Sequence, residues 1–247
     1  KRNFVVAGTH GKTTTSAMLT WVLESGGYAP GYMIGGIPAN LGRGACFTDS
    51  DFNVLEGDEY DTAFFDKRSK FLHYLPELAI INNIEFDHAD IYNSLDEIKL
   101  TFRRLLNIVP KGGLAIVNGD DSNVMEVVEG VPCPVRTLGF GKFCEIRIED
   151  VSYETEGSGF TLSGERYFIP MVGEFNVRNA AMAAAGIREA VVLLARGRSG
   201  YHVANMITNV LFCVAVGTIL CVFPRWHSWR CITACYLSYY YAKALIW

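Results

Sequence analysis

Apolar and polar positions follow two rhythms along the first three-quarters of the chain. Phe4-Val5-Val6-Ala7 is a short continuous apolar run, the pattern of a strand buried on both faces. A glycine-rich polar stretch, 8–12, interrupts it. Over 13–25 the apolar positions Met18, Leu19, Val22 and Leu23 recur at helical spacing until Gly26-Gly27 ends the pattern. Residues 52–55 and 78–84 predict two more strands, each ending in polar and acidic residues. Leu95, Ile98, Phe102 and Leu105 predict a helix over 94–106, and Ser94-x-x-Glu97 at its start has the form of a capping box. Residues 114–117 predict a further strand, followed by Asn118-Gly119-Asp120-Asp121.

Strands alternating with helices imply an α/β fold: a doubly wound, mostly parallel sheet covered on both faces. The rhythm changes over 144–172. Ile146, Ile148, Val151 and Tyr153, then Phe160 and Leu162, then Tyr167, Phe168 and Ile169 predict a small antiparallel β extension with Gly-Ser-Gly turns. An alanine-rich helix is expected over 176–185.

Composition divides the chain. Of its 247 residues, 50% are hydrophobic and 19% charged, enough for one globular domain with a core. The net charge of -4 gives no sign of a nucleic-acid partner. Beyond Glu189, however, there is no acidic residue, while four of the seven cysteines and three of the four tryptophans lie there. Residues 1–186 are therefore expected to form one domain and 187–247 a tail of different origin. The apolar stretch 203–223 is long enough to span a bilayer. A membrane-associated tail is one reading; a frame-shifted or fused sequence is the other. Cys46, Cys133 and Cys144 form no CxxC pair, and the opening apolar run is too short for a secretory signal. Reduced thiols and a cytoplasmic location are expected.

Three stretches carry chemistry. Gly8-Thr9-His10-Gly11-Lys12-Thr13-Thr14 lies between a predicted strand and helix, as a phosphate-binding P-loop does. Its glycines let backbone N–H groups face a polyphosphate at a helix N-terminus. Lys12 can reach the β and γ phosphates, and the Thr13 hydroxyl can bind Mg²⁺. The loop is two residues shorter than the common GxxxxGK[ST] form. Glu56-Gly57-Asp58-Glu59 follows a strand, where carboxylates face the ligand edge of a parallel sheet. Alone it would read as a solvated loop; beside a phosphate loop, Glu56 suits a hard cation. Asn82-Asn83-Ile84-Glu85-Phe86-Asp87-His88-Ala89-Asp90 follows the next strand and sets His88 among carboxylates, a candidate for metal or phosphate contact.

GTHGKTT, EGDEYD, NNIEFDHAD and GEFNVRNAAMAAA, in this order and spacing, resemble the central domain of the Mur ligases over residues 1–186. Within that family, residues 30–38 and 59–71 are more similar to the branch that attaches a recycled peptide than to the branch that adds L-alanine. The resemblance implies an ATP-dependent carbon–nitrogen ligase of bacterial cell-wall recycling. Its small-molecule substrates would be UDP-N-acetylmuramate and the murein tripeptide L-alanyl-γ-D-glutamyl-meso-diaminopimelate, joined through an acyl phosphate, with ATP and Mg²⁺ required. It implies that Gly8 to Thr14 hold ATP, that Lys12 and His88 are catalytic, that Thr13 and Glu56 bind one Mg²⁺ and His88 a second, and that Asn176 and Asn179 face the adenine. Asn176 could equally cap its helix.

There are departures. Phe175 stands where the family usually has His. Phe102 stands where several members carry a carbamoylated lysine, so no such lysine is expected. No counterpart of the N-terminal UDP-binding or C-terminal domain is expected, and the chain alone is expected to bind Mg-ATP weakly without forming the amide. Folylpolyglutamate and cyanophycin synthetases share the short loop, but the DHAD stretch and 59–71 argue against them. A non-ligase nucleotide-binding protein remains the alternative of another class.

Overall fold

In a computed structural model of the protein, residues 1–87 and 92–195 are described, with side chains through 190. The central strands are β1 (Arg2–Ala7), β2 (Gly31–Met33), β4 (Phe52–Gly57), β7 (Leu78–Ile81), β8 (Leu114–Asn118), β9 (Val135–Gly139) and β10 (Ile146–Glu154). They pair in parallel in the order β10-β9-β8-β7-β1-β4-β2. The short β3 (Ala45–Cys46) adds an antiparallel edge beside β2. Helix α1 (Lys12–Ser25) and helix α4 (Glu174–Ala195) cover one face; α2 (Leu95–Asn107) and α3 (Ser122–Val127) cover the other. The doubly wound α/β fold is therefore as expected.

The period-2 alternation of strands sorts the core into two layers. Phe4 and Val6 of β1 pack with Leu19, Ile80, Ile116 and the alanine-rich face of α4. Val5 and Ala7 point the other way, to Ile81, Phe102, Leu105 and Val124. Phe102 is fully buried, its ring 5.7 Å from that of Phe71.

Several boundaries differ from the sequence reading for identifiable reasons. Strand β7 stops at Ile81 rather than at 84, because its partner β1 ends at Ala7. Beyond that point Asn82 and Asn83 turn their hydrogen bonds toward the glycine-rich loop instead. The antiparallel extension exists as β10, β11 (Gly157–Leu162) and β12 (Glu165–Ile169), continuous with the main sheet through β10. Its turns are not Gly-Ser-Gly: Gly157-Ser158-Gly159 lies inside β11. A side chain on Gly157 would meet the backbone of Ile169, and one on Gly159 would meet Ser152, so close strand approach requires the glycines there. Residues 155–156 and Ser163-Gly164 make the turns, the latter with φ of 51° and 83°, the primed geometry that matches strand twist.

The hairpin of β5 (Asp61–Ala63) and β6 (Asp66–Ser69) was not legible as strands; it stands apart as a two-stranded sheet with Phe64 and Phe65 exposed at its tip. Helix α4 runs past residue 186 to Ala195. The first residues of the expected tail, 187–195, are therefore the end of α4, with Ile187 and Ala190 buried in the core; the rest of the tail, including the apolar stretch 203–223, lies outside the described residues, as does His88. Among the described residues no helix is long and apolar enough to cross a membrane.

Helix α2 begins as its sequence requires. Ser94 Oγ accepts from the Glu97 N–H at 3.3 Å, and the Glu97 carboxylate accepts from the Asn93 N–H at 2.9 Å. Ser94→Ala is expected to lower unfolding free energy by about 1 kcal/mol, read as a denaturant midpoint shift at constant slope. No measurable shift would mean that water replaces the cap.

Candidate functional site

All the central strands run in parallel, so the loops after β1, β4, β7, β8 and β9 leave the sheet at one edge. The loop after β1 is residues 8–11. Gly8 has φ 135° and Gly11 φ 79°, conformations that favour glycine. Gly11 is also the N-cap of α1, which has no side-chain cap and no acid in its first turn. By contrast, Ser94 caps α2 and Asp121 caps α3. The N-terminal N–H groups of α1 thus have no side-chain cap from their own turn, and its positive dipole end faces the loop.

The segment after β7 and helix α4 hold the loop's shape. The Thr9 N–H donates to the Asn83 carbonyl at 3.0 Å, and the His10 N–H to Asn83 Oδ1 at 2.8 Å. The Glu85 N–H donates to Thr9 Oγ1 at 2.9 Å. Under the loop, Asn82 Nδ2 donates to Thr15 Oγ1 at 3.1 Å and to the His10 carbonyl at 3.3 Å. Asn179 Oδ1 accepts from Thr15 Oγ1 at 3.3 Å. A Cβ on Gly11 would run into Asn179 and Asn82, so the loop is seated directly on these two amides.

Two acidic residues meet the start of α1. Lys12 Nζ lies 3.2 and 3.1 Å from the two carboxylate oxygens of Glu59, which is only 3% exposed. Thr13 Oγ1 donates to Glu56 Oε1 at 2.8 Å, and the Gly35 N–H donates to Glu56 Oε2 at 2.6 Å. A hydroxyl and a carboxylate side by side at an open helix N-terminus form a hard-oxygen pair suited to a divalent cation that also binds phosphate. Among the described residues no group of three or more His, Cys, Asp or Glu side chains could hold a metal. A cation held by Thr13 and Glu56 could complete its shell from phosphate and water, the habit of Mg²⁺.

Further along the edge, Asp120 accepts from the Phe140 and Gly141 N–H groups, both at 2.8 Å, and pairs with Arg178 at 3.3 Å. Burial works to raise its carboxyl, but those N–H bonds and Arg178 outweigh it and hold it below the usual carboxylate range. Burial, then the Asp120 charge, push the neighbouring Cys144 thiol up to about 11, which keeps it a thiol at neutral pH. Arg178 also lies 4.9 Å over the Phe140 ring. These contacts tie α4 to the β9–β10 loop.

Of the residues singled out in the sequence, Gly8, Thr9, His10, Gly11, Lys12, Thr13, Thr14, Glu56 and Asn179 come together here. Asn176 lies one turn before Asn179 on α4, its Nδ2 donating to the Val172 carbonyl at 3.0 Å. Phe175 beside it is 45% exposed. Sequence reasoning missed three residues that build the site. Glu59 belonged to an acidic run that looked solvated. Asn82 looked like a strand residue. Asp121, whose carboxylate accepts from the Ile84, Asn123 and Val124 N–H groups, locks the loop after β7 to α3. Only the position of each just beyond a strand could have marked them.

Residues 6–187 match the family model of the Mur ligase middle domain. The chain is 44% identical over 186 residues to the UDP-N-acetylmuramate--L-alanyl-gamma-D-glutamyl-meso-2,6-diaminoheptandioate ligase of Escherichia coli, covering 74% of this chain and 40% of that protein. It is 38% identical over 194 residues to the UDP-N-acetylmuramate--L-alanine ligase of Syntrophotalea carbinolica, covering 76% and 41%. Among solved structures, the UDP-N-acetylmuramate:L-alanyl-gamma-D-glutamyl-meso-diaminopimelate ligase from Neisseria meningitides superposes with a TM-score of 0.69 at 36% identity, over 84% of this chain and 64% of that one. The chain thus spans about 40% of the length of the curated relatives it matches.

Proposed function

The chain belongs to the Mur ligase family, and from that membership we propose that it is the ATP-binding middle part of an enzyme joining UDP-N-acetylmuramate to the recycled tripeptide L-alanyl-γ-D-glutamyl-meso-diaminopimelate. The observation that carries the nucleotide half of this reading is the convergence of Lys12, Thr13 and Glu56 at an uncapped helix N-terminus. Residues 1–186 are proposed as the ATP-binding unit, with 187–247 a sequence of different origin, and a cytoplasmic location is proposed with them.

When bound, Mg-ATP supplies the γ-phosphoryl group that converts the substrate carboxylate into an acyl phosphate, which an amine can then attack. The protein's contribution is positioning and charge neutralisation. The N–H groups of Gly11 to Thr14 at the start of α1 cradle the phosphates, while those of Thr9 and His10 are held by Asn83. Lys12, held at the loop by the Glu59 carboxylate, presents its ammonium to the charge that develops on transfer. Thr13 and Glu56 hold a Mg²⁺. His88 is proposed as ligand to a second Mg²⁺ beside the carboxylate. Asn176 and Asn179 are proposed to face the adenine, with Asn179 also supporting Gly11 from below.

The substrate choice is tested on a full-length parent, assayed in parallel with the tripeptide and with L-alanine at equal UDP-N-acetylmuramate and ATP. The expected result is a clear preference for the tripeptide in kcat/KM. A preference for L-alanine would move the parent to the biosynthetic branch represented by the 38% identical relatives and leave the ATP-site assignments untouched. ATP turnover indifferent to both amines would favour a nucleotide-binding protein that is not a ligase.

A further inference from the structure

We propose that the cleft between the β5–β6 hairpin and α2 binds an anionic group of a substrate, carboxylate or phosphate, with Arg104 as its anchor. The inference rests on the ligase reading and extends it to the half of the site that the phosphate loop does not supply.

The cleft has a volume of about 720 Å³, and none of residues 8–14 lines it. Lys67, Arg68 and Arg104 supply its positive charge, and Leu72 and Leu100 an apolar wall. Two of the three cations are already neutralised. Lys67 Nζ lies 2.8 Å from Asp61, and Arg68 pairs with Asp66 at 2.8 Å. The cleft's other carboxylate, Glu97, is engaged by Asn93. Arg104 is exposed, and no carboxylate of the described residues lies within ion-pair distance of it. A guanidinium beside an apolar wall in a concave site suits a carboxylate or phosphate carried on an organic stem.

The floor of the cleft connects it to the chemistry. Ser69 Oγ and Tyr92 OH lie 3.2 Å apart, and Tyr92 OH donates to the Glu59 carbonyl at 2.8 Å. Glu59 is the residue whose carboxylate holds Lys12 Nζ. An anion seated against Arg104 is therefore separated from the phosphate-loop lysine by a short run of hydrogen-bonded residues. A ligase needs its second substrate close to the transferring phosphoryl group, and this hydrogen-bonded run leads from the cleft to Lys12.

The test is calorimetric titration of the 247-residue chain and of Arg104→Ala with Mg-ATP, with UDP-N-acetylmuramate and with the tripeptide. Arg104 is solvent-exposed, so its loss removes a charge without opening the core. Arg104→Ala is expected to weaken one of the two anionic substrates by about tenfold or more, the loss of one charged hydrogen-bonding group, while Mg-ATP changes by less than about twofold. The arm that weakens identifies whether the cleft reads the sugar nucleotide or the peptide. Wild-type chain that binds neither substrate, or Arg104→Ala that binds both as wild type does, overturns the proposal. Mg-ATP binding with no anion binding would sink this inference alone. Arg104-dependent anion binding without Mg-ATP binding would sink the ATP-ligase reading and leave the cleft as an anion site.

Discussion

Lys12→Ala is expected to weaken Mg-ATP binding by at least roughly thirtyfold, the loss of a charge-assisted contact of about 2 kcal/mol or more, whereas Cys46→Ala leaves it unchanged. Cys46 sits on the edge strand β3, packed against the core, with its Sγ 4.0 Å from the Phe47 carbonyl and no hydrogen bond to the loop of residues 8–14. The lysine change has a second consequence that can be separated from the first. Glu59 is 3% exposed and would lose its ammonium partner. A buried carboxylate deprived of its cation costs stability, about 2–3 kcal/mol here, below the ~3–5 kcal/mol of a wholly buried pair because Lys12 retains some solvent contact. The double variant Lys12→Ala/Glu59→Gln is therefore expected to recover most of the stability and none of the nucleotide affinity. Equal effects of the Lys12 and Cys46 changes on binding, or recovery of binding in the double variant, would remove Lys12 from the phosphate site.

The parts of this molecule that were legible in its sequence are those where local pattern and tertiary outcome agree. The continuous apolar runs at 4–7, 78–84 and 114–117 read as strands covered on both faces, and they form the centre of the sheet, the second ending early at Ile81. Ser94 and Glu97 marked a helix start because a cap is a local device. The glycine-rich loop was legible because Gly8 and Gly11 take positive φ at fixed offsets between strand and helix. What failed was set by distant partners. Gly157-Ser158-Gly159 has turn composition but lies within β11, because Ile169 and Ser152 approach it too closely for larger residues. The hairpin at 61–69 has charges and aromatics in an order with no clear period, and it forms beside α2 rather than within the main sheet. Glu59 and Asn82 read as surface and strand positions. Their burial follows from what the loop after β1 brings over them, which no window of sequence around either residue contains.

That buried layer sets the second large expectation. Asn82→Asp changes one amide nitrogen into an oxygen with almost no change in shape. Asn82 Nδ2 donates toward Thr15 Oγ1, the His10 carbonyl and, at 3.5 Å, Asn179 Oδ1. All three act as acceptors, but the Thr15 hydroxyl can turn to donate and the Asn179 amide can flip its unpartnered Nδ2 inward. An aspartate therefore leaves the His10 carbonyl facing a further acceptor in a site where Asn82 and Asn179 are each 3% exposed. At about 1–3 kcal/mol for a buried group left without a partner, the variant should lose roughly 1–3 kcal/mol of stability. Asn82 also lies directly beneath Gly11, so the new carboxylate sits under the position where phosphate charge would collect. Repulsion between like charges in a poorly solvated site should raise the Kd for Mg-ATP by about tenfold or more, beyond what the stability loss produces at a temperature where the variant remains folded. The measurements are a denaturant titration and a nucleotide titration on the same preparation. If Asn82→Asp matches the parent in both, the amide layer is not what seats the loop. If it loses stability but binds Mg-ATP as well as the parent, the phosphates do not lie above Gly11, and Lys12 and Thr13 would serve a ligand placed elsewhere on the sheet edge.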